Sequence, residues 1–449
     1  MNRIIKIITL LVFAACAREE AVPVIVDFDF EVFNDDFSIP VQIVFFNRTE
    51  GAEDYEWRFE GGVPSRSVNR NPGVIQYDSK GNFEIELIAT NQDGSRDSKI
   101  IEIQIDDPVI IDFEVTNVDD NFSPAAFSIQ NNSTGADSFV WTFEGGQPVS
   151  STSENPGNVV FTEPGEHRIT LEISNGRETF TQEEVITVEP FLVADFTEEV
   201  AFDDDDFQIP AVMQFTDNSV SATSYQWQFE GASITTSLEQ NPNVTFVSEG
   251  NHRVTLTASN GKETQTISKV FQFFRNTNLR ELNDVVLGIN TAHNANTRGS
   301  FYSIADRTVY TAEEITTDIA DQIDLVFFGL SNTFNRNRFV SPDDLSSTTF
   351  DALANAKQTK FINSQELCNC TASLSVSEFD NMQDDTLLNG LTITETPGGL
   401  QDFDNSMVLR IVLFETQEGK KGAIKVKEFI DDGSNSYIIV DIKVQKATR

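Results

Sequence analysis

Hydrophobic and polar positions alternate over most of the first 274 residues, in short runs broken by glycine-containing polar stretches. Ile43 and Phe45, Phe127 and Ile129, and Met213 and Phe215 each mark a strand with one buried face, because side chains two apart point to the same side of a sheet. Each pair stands fourteen and twelve residues before a tryptophan, and Trp57, Trp141 and Trp227 are the only three in the chain. About twenty residues after each Trp come an aromatic, a Gly turn and a second alternating strand: Tyr77, Gly81, Ile85, Leu87; Phe161, Gly165, Ile169, Leu171; Phe246, Gly250, Val254, Leu256. The Trp spacing is 84 and then 86 residues, with an Asn-Pro pair fourteen residues after each Trp (Asn71-Pro72, Asn155-Pro156, Asn241-Pro242) and a proline seventeen before it (Pro40, Pro124, Pro210). A unit of that length encloses its own core, and many short strands joined by turns predict an antiparallel β-sandwich repeated three times.

From about residue 277 the pattern changes. Val285 to Ile289 and Ile323 to Leu330 are apolar strand-like runs, Thr311 to Glu314 has the spacing of a capping box opening a helix to about Asp321, and Ser375 to Glu378 looks like a second such box. Strands are predicted at Met407 to Glu415, Ala423 to Phe429 and Tyr437 to Val444, with turns at Gly419 and at Asp432-Gly433. This region reads as one compact β-rich domain, α+β or β-sandwich, with short helices.

The repeats Trp57-Arg-Phe-Glu-Gly-Gly, Trp141-Thr-Phe-Glu-Gly-Gly and Trp227-Gln-Phe-Glu-Gly-Ala, each followed by a turn and a strand, with Ser-Asn-Gly at Ser174 to Gly176 and Ser259 to Gly261, resemble the PKD domain. That resemblance implies immunoglobulin-like sandwiches of an extracellular protein. The family's usual Trp-Asp-Phe-Gly-Asp-Gly is replaced here at the turn, and the strand pattern is kept. The expected organisation is a signal peptide at 1–15, a tether at 16–23, PKD-like domains at 24–107, 108–190 and 191–274, and a terminal domain at 277–449. The joints Asp106-Asp107-Pro108 and Glu189-Pro190 are short and proline-containing, which implies a semi-rigid rod.

Arg3 and Lys6 precede an apolar run from Ile7 to Ala15 that ends at Cys16, the form of a secretory signal too short to span a membrane. Phe13-Ala14-Ala15 before the cysteine resembles a bacterial lipobox, which implies acylation of Cys16 and a lipid anchor. Ala17 to Glu20 resembles the acidic export signal of Bacteroidota surface lipoproteins, implying an outer-membrane protein exposed on the cell surface. The net charge of −40 argues against nucleic acid as a partner, since so acidic a surface repels phosphate backbones. Three cysteines exclude a disulfide scaffold, and Cys368 and Cys370 stand open between a tight disulfide and two thiols.

An acidic pair lies 22 and 21 residues before each Trp: Asp35 and Asp36, Asp119 and Asp120, Asp205 and Asp206. Clustered carboxylates suit Ca²⁺, the one cofactor considered, whereas the alternative is that these aspartates start turns. The tryptophans read as core. His167 and His252 occupy the strand position held by Phe83 in the first repeat, and so read as packing residues. In the terminal domain no nucleophile motif, phosphate loop or zinc spacing appears, which speaks against an enzyme. The segment Ser331 to Phe339 mixes aromatics with Asn and Arg, the combination sugars use. Its Phe334, Asn335, Arg336, Asn337, Arg338 and Phe339, together with Tyr302 and His293, are the candidate glycan-binding residues.

Gly299 to Ser303, Lys421 to Lys427 and the closing Ile442 to Gln445 resemble a terminal module of Bacteroidota outer-membrane lipoproteins. The resemblance to surface glycan-binding proteins of starch-utilisation-type systems implies a non-catalytic protein. It would capture a polysaccharide, laminarin-type β-glucan as first expectation, beside an outer-membrane transporter and its companion lipoprotein. A surface adhesin or structural stalk is the first alternative, and a polysaccharide hydrolase the second.

Overall fold

The computed structural model describes residues 22–406 and 408–448. Cys16 and the leader before it, the anchor expectation, lie outside the described residues. The rest falls into two compact units: residues up to Phe196 with Asp217–Gln226 and Leu256–Ile267, and Thr197–Thr216 with Trp227–Thr255 and Ser268 onward.

The chain is mostly β. In the first repeat one antiparallel sheet runs Phe28–Val32, Val41–Asn47, Val74–Tyr77, Gly62–Val63, and a second runs Arg66–Ser67, Asp54–Phe59, Gly81–Thr90, Arg96–Ile105. The second repeat has the same two four-stranded orders, and the third has them with one short strand fewer. The alternating positions face inward: Ile43, Phe45, Trp57, Phe59, Ile85 and Leu87 share one core in the first repeat. All three tryptophans are fully buried. Each indole N–H donates to a carbonyl twelve residues downstream, Asn69 O at 3.1 Å, Ser153 O at 3.1 Å and Glu239 O at 3.0 Å, so the polar end of the core ring closes a loop.

The Phe-Glu-Gly turn has a packing reason. Phe83, His167 and His252 lie against Gly61, Gly145 and Gly231, all at φ between +70° and +77°, so the ring occupies the space a Cβ would need and the backbone takes a conformation that favours glycine. These histidines therefore replace a phenylalanine in packing, as their strand position predicts.

Each repeat ends in the same way. Its last strand turns into a parallel bridge with the loop after the acidic pair: Ser38 with Asp106, Phe122 with Glu189, Gln208 with Phe274. The acidic loop is thus held at the exit end of its repeat.

In the terminal region a five-stranded antiparallel sheet runs Leu279–Gly288, Tyr437–Gln445, Lys421–Ile430, Arg410–Glu415, Lys360–Ile362. A four-stranded sheet runs Thr308–Tyr310, Phe301–Ser303, Leu325–Leu330, Asn335–Val340, and both contribute to one core that includes Leu287, Tyr302, Phe327, Phe339, Phe414 and Ile424. The Ser375 capping box is present and opens the helix Val376–Asp380. The first predicted box is not. Glu314 accepts from the backbone N–H and hydroxyl of Thr311, but helix forms only over Thr317–Ala320, with Thr316 at its N-cap. Cys368 and Cys370 are joined in a disulfide. No helix among the described residues is long and apolar enough to cross a membrane.

Candidate functional site

The acidic pairs serve the backbone first. Asp36 Oδ1 accepts from Ser38 N at 2.8 Å, Asp120 Oδ1 from Phe122 N at 3.0 Å and Asp206 Oδ1 from Gln208 N at 3.1 Å, the same turn three times. Among the described residues no three acidic, His or Cys side chains are grouped to hold a metal ion. Of the aspartates expected as calcium ligands, Asp35, Asp36, Asp119, Asp120, Asp205 and Asp206, the second of each pair forms this turn and Asp205 meets two arginines.

The pairs also mark where a following element brings a cation to the acidic end. Arg177, just after the Ser-Asn-Gly turn, donates to Gln104 O at 2.9 Å, lies 3.5 Å from the Asp106 carboxylate and covers the Phe37 ring at 4.2 Å. Lys262, after the equivalent turn, donates to Phe122 O at 2.9 Å and Pro124 O at 2.6 Å and meets Asp120 at 3.2 Å. On the third loop Arg280 and Arg307 both bind Asp205, and Lys446 pairs with Asp206 at 2.5 Å. Burial opposes ionisation of Asp205, yet the two guanidiniums outweigh it and hold its carboxyl below the usual range. A depressed carboxylate pKa contributes stability that is present at neutral pH and lost as pH falls through the folded-state value, below about 4. For Lys262→Ala we expect faster amide exchange at Asn121 to Ser123 with the amides around Trp141 unchanged. Equal exchange in the two proteins would show that the lysine holds nothing.

Beside the Asp205 network lies a cleft of about 1110 Å³. Leu282, Val285 and Tyr302 give it an apolar lining, and Phe274, Asn283 and Gln383, all exposed, stand around it with Arg275, Glu249 and Glu281. A bulge between Leu282 and Val285, with Asp284 at φ +57°, places Asn283 here. Tyr302 is buried in the core cluster, and its hydroxyl has no hydrogen-bond partner among the described residues. Burial pushes that hydroxyl up to about 12, so it is a proton donor at neutral pH. An apolar floor with amides, carboxylates and guanidiniums around it suits a ligand that has a C–H face and hydroxyl edges.

The predicted glycan residues separate. Tyr302 lines this cleft. His293 is buried, with its ring 4.3 Å from Phe301 and its Nδ1 accepting from Ser300 N, so it is a core residue and not a sugar contact. Phe334 packs on Phe429 at 5.0 Å and Phe339 on Phe327 at 5.6 Å, both buried, and Asn337 is buried with its amide donating to Phe334 O and Phe403 O. These three offer no surface for stacking or hydroxyl recognition. Asn335 and Arg336 are exposed and away from the cleft, and Arg338 is tied to Asp402 at 2.7 Å. Sequence reasoning missed Phe274, Asn283, Gln383 and Glu249. Of these only the adjacent Phe273-Phe274 pair at the end of a strand gave a signal, since one of the two must face outward.

The PKD domain family matches residues 200–273. No curated protein matches the chain. Among solved structures, a tetra-tandem repeat from the extending region of a large adhesion protein is 11% identical, covers 94% of this chain and 100% of its own, and has a TM-score of 0.26. A structure concerned with host cell surface retention of a 1.5-MDa bacterial ice-binding adhesin is 11% identical over 57% of this chain and 98% of its own, with a TM-score of 0.24. Likeness at these TM-scores supports no conclusion about this chain.

Proposed function

We propose that the protein is a non-catalytic, cell-surface glycan-binding protein. In this reading the repeats space the terminal region from a lipid anchor at Cys16, and the cleft beside Tyr302 takes a segment of an uncharged polysaccharide for an outer-membrane uptake system. The observation that supports it is the cleft's lining: a buried tyrosine with an unengaged hydroxyl, an exposed phenylalanine and two exposed amides around one space of about 1110 Å³, large enough for a short oligosaccharide. Laminarin-type β-glucan is the first candidate, because the net charge of −40 disfavours anionic glycans.

An adhesin or stalk that binds protein or matrix uses the same repeats, and the PKD match at 200–273 favours it equally. Affinity electrophoresis of the purified protein through gels containing laminarin, alginate, xylan or starch separates the two. The glycan reading predicts retardation by a neutral glycan and none by alginate. Unretarded migration in all four gels supports the adhesin, and release of reducing ends would make the protein a hydrolase.

A further inference from the structure

The cleft beside Tyr302 has two walls that belong to different cores. One is the end of the third repeat, with Glu249, Phe273 and Phe274, where Phe273 stacks on Phe246 at 4.2 Å inside that repeat. The other carries Leu282 and Tyr302 from the terminal core, with Val285 packed against it. The last strand of the repeat ends at Phe273 and the first terminal strand begins at Leu279, so a short connection joins the walls.

Cations from the terminal wall tie it to the acidic loop of the repeat. Arg280 and Arg307 both meet the Asp205 carboxylate, Arg307 at 2.5 Å, and Lys446 meets Asp206 at 2.5 Å. Each guanidinium also donates to a carbonyl of the same loop, Arg280 to Asp203 O and Arg307 to Phe202 O at 2.6 Å, and Arg307 covers the Phe202 ring at 4.0 Å. The two arginine side chains are only 11% and 15% exposed. An isolated surface ion pair contributes little, but here one carboxylate serves two guanidiniums that have given up most of their water.

We propose that Asp205 is a positioning residue, a latch that holds the two walls of the cleft at the separation a glycan segment needs. Its bearing on glycan capture rests on the function proposed above, whereas the latch itself concerns the walls alone. Salt weakens the latch by screening its charges. A cleft formed only part of the time binds its ligand more weakly by that fraction. Affinity for an uncharged glycan, which has no charge of its own to screen, therefore falls as salt rises.

The test measures the walls first and the ligand second. Spin labels at Glu249→Cys and Gln383→Cys, one on each wall of a chain that also carries Cys16→Ser, report the separation with no glycan present. One narrow distance distribution is expected at low salt, broadened at about 1 M salt, where the Debye length is about 3 Å, and broadened at any salt in Asp205→Asn. Asp205→Glu keeps the charge and is expected to keep the narrow distribution, as is Asp119→Asn at the same loop position of the second repeat. In the unlabelled protein, laminarin affinity by calorimetry is expected to fall roughly tenfold in Asp205→Asn, to lose its salt dependence there, and to recover in Asp205→Glu. The salt titration of the labelled wild type needs no change at Asp205, so it decides the case even if Asp205→Asn fails to fold. Distances that stay narrow at high salt and in Asp205→Asn would overturn the latch whatever laminarin does. Distances that broaden as expected while laminarin binds none of the proteins would keep the latch and overturn the glycan reading.

Discussion

Trp141→Ala is expected to lower the stability of the second repeat by about 3–5 kcal/mol. The ring is fully buried, meets Phe113 edge-on at 5.2 Å, stacks on Phe143 at 6.1 Å and donates to Ser153 O. Truncation therefore leaves a cavity at the centre of a small core and frees a loop carbonyl. A domain of this size has a total stability of roughly 5–15 kcal/mol, so the loss is a large share of it. Because each repeat encloses its own core, the emission of Trp57 and Trp227 still reports the other two. A urea titration should show one transition displaced to low denaturant and the rest kept. A shift worth less than about 1 kcal/mol would remove the tryptophan from the centre of the repeat.

The second large effect is acid sensitivity in the terminal region. Burial pushes His293 down to about 4 from 6.5, against a smaller opposing contribution from the backbone at Tyr310. The unfolded chain then binds a proton that the folded chain refuses, so this contribution is fully present above pH 6.5 and is lost as pH falls toward 4. The loss amounts to roughly 2–3 kcal/mol over that window. His293→Phe keeps a ring against Phe301 and Phe350, gives up the bond from Ser300 N, and should be less stable at neutral pH yet flat between pH 7 and 4.5. Thermal melts at several pH values compare the two, and a slope that survives in the variant would move the titration elsewhere.

The repeats were legible because their signal is local. Alternation such as Ile43 and Phe45, a Trp at fixed distance and a Gly turn act within one sandwich, and each has a packing counterpart. The sites were not legible in the same way. The cleft joins Glu249, Phe274, Asn283, Tyr302 and Gln383, which meet only through the fold. The Asn- and Arg-rich segment after Leu330 reads as a solvent loop by composition. Positive φ at Ser331, Phe334 and Arg336 turns it so that Phe334 and Phe339 enter the core. His293 misled for the same reason: its neighbours are polar in sequence, but the short helix Asn290–Asn294 buries it. The aspartate pairs read in sequence as cation ligands or turn formers, and the cations that meet them, Lys262, Arg280 and Arg307, come from segments distant along the chain.

The measurement closest to the central claim is calorimetric titration of the glycan that retards the protein into wild type, Tyr302→Phe and Phe274→Ala. The cleft account predicts a one-site isotherm for wild type, a loss of roughly tenfold when the Tyr302 hydroxyl is removed and of about fivefold when the Phe274 ring is removed, with melting of the Phe274 variant unchanged. Equal affinities in all three proteins would contradict it and place any glycan site outside this cleft.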